Sequence, residues 1–183
     1  MSRKKSRILE RIHFKEFALA TTHRAENVDN PAVLKNFVEA FAKAPIPIVY
    51  TLHPRTEKRL KQSGIYSRIK KAKNIQVLPP IGYLDFLTLI KKCKLILTDS
   101  GGIQEEATAP QIRKPVLVLR LSTERLEAVE AGFARVVVVR KENIINAIRE
   151  VLNGYVELPL HSPYGNGKAA EKIAEIIKNK ILT

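Results

Sequence analysis

The feature that most constrains this chain is a regular alternation of short apolar runs with stretches whose apolar residues recur every three to four positions. Phe17 to Thr22, Ile48 to Leu52, Ile75 to Leu78, Leu95 to Thr98, Val116 to Leu119 and Val136 to Val139 are runs of strand length. Between them lie helical patterns. Asn30-Pro31 opens one, since Asn caps a helix well and Pro suits its first position. Val33, Leu34, Phe37, Val38 and Phe41 follow at helical spacing, and Pro45 and Pro47 close the segment. A second helix is expected from about Arg55 to Gln62, and a third around Leu84, Phe86, Leu87 and Ile90, opened by Tyr83 and Asp85. Another starts after Asp99-Ser100-Gly101-Gly102. Glu142 to Leu152 is amphipathic, with Ile144, Ile145, Ile148 and Val151 on one face.

Strand and helix repeated in this way imply an α/β domain with a parallel sheet covered by helices on both faces. Right-handed crossovers then give a doubly wound, Rossmann-like sheet. Such sheets bind ligands at the carboxyl ends of their strands. The residues that follow the strands are therefore where chemistry is expected: His23-Arg24, His53-Pro54, Ser100-Gly101-Gly102, and Arg120 onward.

The 183 residues, 45% of them hydrophobic, suffice for one domain with a core. The apolar runs are too short to span a bilayer, and no apolar segment follows the basic start Met1-Ser2-Arg3-Lys4-Lys5, so neither a membrane nor a signal peptide is expected. Cys93 is the single cysteine; no internal disulfide is possible, and a reducing cytoplasm fits. Net charge is +14, which suggests anionic partners. The basic residues cluster at the ends and between elements without interleaved aromatics, so a solvated basic face is expected rather than a nucleic-acid partner.

Asp99-Ser100-Gly101-Gly102-Ile103-Gln104-Glu105-Glu106 is the sharpest local signal. Two glycines let a backbone approach a ligand, and a helix start offers free N–H groups to a phosphate. Ser100 adds a hydroxyl, and Glu106 can accept from sugar hydroxyls. The competing interpretation is an ordinary turn capped by Asp99 or Ser100. Thr22-His23-Arg24-Ala25-Glu26-Asn27 joins an imidazole, a guanidinium, a carboxylate and an amide, either as a proton-transfer and phosphate-holding group or as a capping loop. His53 stands in the same position one unit later. Arg125, within Thr123-Glu124-Arg125, can reach an anion or belong to a solvated helix start. His13 and His161 have little context and are taken as structural. The segment lacks the dinucleotide fingerprint, a Walker A sequence and a nucleophile elbow, and no metal-ligand spacing occurs.

In order, Thr22 to Asn27, His53-Pro54, Tyr83 to Leu87, Leu97 to Glu106, Lys114 to Arg120, Thr123 to Arg125 with Glu127 to Gly132, and Pro163 to Ala169 resemble the non-hydrolysing UDP-N-acetylglucosamine 2-epimerases. The resemblance runs from about Phe17 onward and concerns only the C-terminal half of that family's two-domain GT-B fold. It implies interconversion of UDP-N-acetylglucosamine and UDP-N-acetylmannosamine by elimination and re-addition of UDP, with no cofactor and no metal. It implies that Ser100, Gly101 and Gly102 hold the diphosphate and Glu106 the ribose. Arg125 and His53 would lie at the ligand and Phe86 near the uracil. Arg24 and Glu26 would join the substrate-binding set, and His23 is the catalytic candidate. The carboxylates that move the C2 proton belong to the family's other domain. Residues 1–167 would form the nucleotide-sugar domain. Residues 168–183 would be a helix that packs toward the other half, and the expected partners are a UDP-sugar substrate and a separate N-terminal half or a homo-oligomer. Departures from the family pattern are a longer loop from Ala107 to Arg113, Leu121 in place of Asp and Leu126 in place of Pro. A non-catalytic UDP-sugar-binding module and a GT-B glycosyltransferase fragment are the alternatives.

Overall fold

A computed structural model describes residues 6–154 and 157–181. Six parallel strands form one sheet: β1 (Ala18–Thr21), β2 (Ile48–Thr51), β3 (Ile75–Leu78), β4 (Ile96–Thr98), β5 (Val116–Val118) and β6 (Ala134–Val136). Their spatial order is β3-β2-β1-β4-β5-β6. The helices are α1 (Ala25–Val28), α2 (Pro31–Ala42), α3 (Pro54–Gln62), α4 (Tyr66–Lys71), α5 (Tyr83–Lys92), α6 (Gly101–Ala107), α7 (Leu126–Glu130), α8 (Lys141–Asn153) and α9 (Ala169–Ile181), preceded by a 3-10 turn at Ile8–Arg11. Among the described residues no helix is long and apolar enough to cross a membrane.

The strands are buried on both sides, and their residues alternate between two cores. Ala18, Ala20, Ile48, Tyr50, Leu97 and Leu117 point into one core with the apolar sides of α2, α3, α4 and α8. Leu19, Val49, Ile96, Val116 and Val118 point into the other with α5, α6, α7 and the 3-10 turn. This explains the unbroken apolar runs: a strand covered on both faces has no solvated side on which to place polar residues.

Most elements fall where the sequence places them. Asn30 caps α2 as expected, its side chain accepting from the amides of Ala32 and Val33. One strand is corrected. The run Val136 to Val139 locates β6 too late, because the strand occupies Ala134–Val136. As an edge strand, β6 can carry a charge on its open side. Arg135 sits there, paired with Glu150 at 2.5 Å, and its presence hides the strand from an apolar count. Two short helices, α1 and α4, carry too few apolar residues for a period to register. The helix expected over residues 168–183 is α9, and residues 182–183 lie outside the described residues.

The strand order matters most for function. The chain leaves β1 toward β2 and β3 on one side, then returns to lay β4 on the other side of β1. Thr21 of β1 pairs in register with Thr98 of β4. The two loops beyond these strands therefore leave the sheet at its switch point, where a doubly wound sheet is expected to form its ligand crevice.

An aromatic cluster lies under β2. Phe41 is fully buried, stacked on Phe37 at 6.0 Å and edge-on to Tyr50 at 5.3 Å. Phe41→Ala is expected to lower the unfolding free energy by about 3–5 kcal/mol, measured by urea denaturation. A loss below about 1 kcal/mol would show that this aromatic cluster does not hold the sheet to α2.

Candidate functional site

The crevice is organised by Asp99, the residue after β4. It is fully buried. Its carboxylate accepts from the backbone N–H of His23 (3.0 and 3.1 Å) and of Arg24 (3.0 Å), and from Asn27 Nδ2 (3.0 Å). The His23 Nδ1 stands 3.3 Å from its Oδ1. Asn27 donates again to the carbonyl of Leu119 at 2.9 Å, so one carboxylate and one amide join the ends of β1, β4 and β5. A buried carboxylate persists only with such donors around it. The exit from β1 is fixed further by Thr22, whose hydroxyl meets the buried Tyr50 hydroxyl at 2.5 Å and whose carbonyl accepts from Thr56. Burial pushes the Tyr50 phenol well above its ordinary range.

Asp99 therefore does not cap α6, and neither does Ser100. Ser100 occupies the N-cap position with no side-chain capping bond, and its own amide donates to Thr98 Oγ1 at 3.1 Å. The turn is thus not the capped turn that was the competing interpretation. Gly101 is buried and Gly102 exposed. A Cβ on Gly101 would lie 3.5 Å from the Arg125 guanidinium, while one on Gly102 would meet no protein atom within 4 Å. Arg125 thus lies over the start of α6, where it pairs with Glu105. Its loop is anchored to the same helix: Thr123 donates to Gln104 Oε1 at 2.8 Å, and the Arg125 amide donates to Thr123 Oγ1 at 3.1 Å.

The other expected residues gather around this point. His53 starts α3 with its Nδ1 accepting from the Arg55 amide at 3.2 Å. Its ring centroid is 5.6 Å from that of His23. Phe86 lines a pocket with Thr21, Thr51, Leu52, His53, Pro54, Pro80 and Ile81, at the carboxyl ends of β1 and β2. Glu106 is half-buried, and desolvation raises its carboxyl above the usual range, against an opposing bond from Tyr83. Arg24 has a buried Nε without a hydrogen-bond partner. Glu26 is not free: Arg120, itself almost buried, pairs with it at 3.1 Å while holding Glu124 with both terminal nitrogens at 2.7 and 2.9 Å. That fork holds the Glu124 carboxyl down at about 2.

Asp99 and Asn27 are the organisers that sequence reasoning placed only as cap or loop residues. Their signal was present: a carboxylate fused to the end of a buried strand must be met by donors from a neighbouring loop. Chemically the site offers amides, guanidinium groups and imidazoles to an anion, with an apolar slot beside them.

A sequence profile described as UDP-N-acetylglucosamine 2-epimerase matches residues 1–178. The UDP-N-acetylglucosamine 2-epimerase of Methanocaldococcus jannaschii is 44% identical over 169 residues, covering 88% of this chain and 44% of that protein. The UDP-2,3-diacetamido-2,3-dideoxy-D-glucuronate 2-epimerase of Pseudomonas aeruginosa is 37% identical over 164 residues, covering 88% of this chain and 44% of that protein. The crystal structure of the M. jannaschii enzyme with UDP-GlcNAc and UDP superposes with a TM-score of 0.79 at 43% identity, covering 90% of this chain and 46% of that one. The chain spans about half the length of the relatives it matches. Its sheet is the Rossmann-like half of their GT-B fold.

Glu106 supplies a test of the site's electrostatics. Because the fold holds its carboxyl above the free-chain value, ionising it costs the folded state more than the unfolded chain. That cost is absent below the carboxylate range and grows as pH rises through it. Glu106→Gln is therefore expected to raise Tm at about pH 7 and to leave it unchanged at about pH 3, measured by calorimetric scans. A lower Tm at neutral pH would contradict the assignment.

Proposed function

The chain belongs to the UDP-N-acetylglucosamine 2-epimerase family, and we propose that it is the half of such an enzyme that grips the uridine diphosphate of a nucleotide sugar. The observation that carries this is the uncapped glycine turn of α6 at the switch point, with Arg125 laid over it and open space beside Gly102. The diphosphate sits on Ser100, Gly101 and Gly102 and meets Arg125. Glu106 accepts from the ribose hydroxyls. The uracil enters the slot lined by Phe86 and His53. His23 and Arg24 face the sugar. The reaction proposed is loss of the C2 proton with departure of UDP from C1, then return of UDP after C2 is reprotonated on the opposite face. Fixed donors around the leaving diphosphate stabilise the charge that develops on it. Glu26, held by Arg120, acts by shaping the loop and reaches the substrate only if that pair opens.

The C2 proton is moved by groups of the other half of the enzyme. We place the docking of that half on α9 and take residues 1–167 as the nucleotide-sugar domain. Residues 169–180 of the helix are all exposed. Ile173, Ile176 and Ile177 stand 57, 57 and 50% exposed on one face by their spacing. The buried single thiol of Cys93, pushed up to about 12 by desolvation, suits a reducing cytoplasm.

Titration of UDP and of UDP-N-acetylglucosamine into the chain by calorimetry is expected to give saturable binding. Arg125→Ala should weaken it about 10-fold or more, the loss of one charge-assisted contact. Gly102→Val should abolish it while leaving Tm equal or higher, since the added side chain fills open space and glycine is a poor helix former. Epimerisation should be absent with this chain alone and appear when the other half is supplied. No heat and no thermal shift with either nucleotide would overturn the proposal. Binding without turnover in the presence of the other half would instead identify a non-catalytic nucleotide-sugar module.

A further inference from the structure

Two imidazoles stand side by side in the crevice, their centroids 5.6 Å apart and their planes tilted by 38°. Each has its Nδ1 beside a partner, and the two partners are opposite in kind. His23 Nδ1 lies 3.3 Å from the Asp99 carboxylate. That carboxylate already takes the amides of His23 and Arg24 and the side-chain amide of Asn27. An ionised carboxylate only accepts, so a neutral His23 ring carries its hydrogen on Nδ1 and leaves the lone pair at Nε2. His53 Nδ1 instead accepts from the Arg55 backbone N–H at 3.2 Å. A nitrogen that accepts carries no hydrogen, so His53 bears its hydrogen on Nε2.

We propose that the fold locks the two rings in opposite tautomers, making His23 Nε2 a proton acceptor and His53 Nε2 a fixed donor, with Asp99 as the positioning residue for His23. The two constraints are independent. One comes from a buried side chain at the end of β4, the other from the first turn of α3. The result is a polar pair with a defined direction: an acceptor on the β1 loop and an N–H donor on the β2 loop, 30 residues later in sequence. A donor of this kind suits a phosphate or carbonyl oxygen of a ligand, and the acceptor suits a hydroxyl or amide N–H of the sugar. That chemical use rests on the epimerase reading; the tautomers do not.

The test is long-range proton–nitrogen NMR on the 15N-labelled chain, above the imidazole titration range. Only four histidines are present, His13, His23, His53 and His161, and His→Gln variants assign them. The expected spectrum has a pyrrole-type Nδ1 and a pyridine-type Nε2 for His23, and the reverse for His53. In Asp99→Asn, His23 should lose its single tautomer while His53 keeps its own, which a merely structural role for Asp99 would not produce. The same tautomer in both rings, or an unchanged His23 in Asp99→Asn, overturns the proposal. Should that variant fail to fold, the wild-type spectrum alone decides. Added UDP is expected to shift the His53 Nε2 signal. If the tautomers hold and UDP moves neither ring, the nucleotide reading fails and the tautomer assignment stands.

Discussion

A carboxylate buried at the carboxyl end of a central strand has few ways to persist, and the surroundings of Asp99 show one of them. Its ligands are two backbone amides and one side-chain amide from a loop more than 70 residues earlier in sequence. Charge-assisted bonds of this kind contribute about 1.5–3 kcal/mol each, and more is lost when one partner is removed. The consequence is geometric as much as energetic. The β1 loop cannot move away from β4 without stranding the charge, so His23 and Arg24 stay beside the glycine turn. Asn27 extends the tie to the end of β5, from which the loop bearing Arg125 departs. Three loops are thus held in one arrangement by bonds within the protein itself.

Holding Asp99 by amides also leaves α6 without a side-chain cap. An acidic residue at this point would ordinarily be expected to turn onto the helix it precedes. Here the same residue turns across the crevice. The start of α6 faces open space at Gly102 and the guanidinium of Arg125 at Gly101. In the next layer outward Arg120 pairs with Glu26 and Glu124 together. The exposed isoleucines of α9 present a separate, apolar face, consistent with a chain that spans about half the length of its relatives.

Much of this was legible in the sequence. The parallel sheet followed from apolar runs with no alternation, and the place of the site from the residues that end those runs. The individual chemistry of His23, Ser100, Gly101, Gly102, Glu106 and Arg125 could be named from residue type. Their convergence could not, because it depends on β4 returning beside β1, a pairing between segments 77 residues apart. Asp99 was visible as a polar residue at a strand end, but a sequence does not say whether a carboxylate faces its own helix or the loop opposite. The strand β6 was misplaced because an edge strand tolerates Arg135, and apolar counting is blind to that. Glu26 had the composition of a ligand contact and is held by Arg120, a partner 94 residues away.

The central claim is that a nucleotide diphosphate sits where β4 passes into α6. Amide NMR of the labelled chain during titration with UDP tests it most directly. Saturable shifts are expected at the amides of Ser100, Gly101, Gly102 and Ile103 and at the side chain of Arg125, lost together in Gly102→Val. Saturable shifts confined to other surfaces, or none at the glycine turn at any UDP concentration, would contradict it.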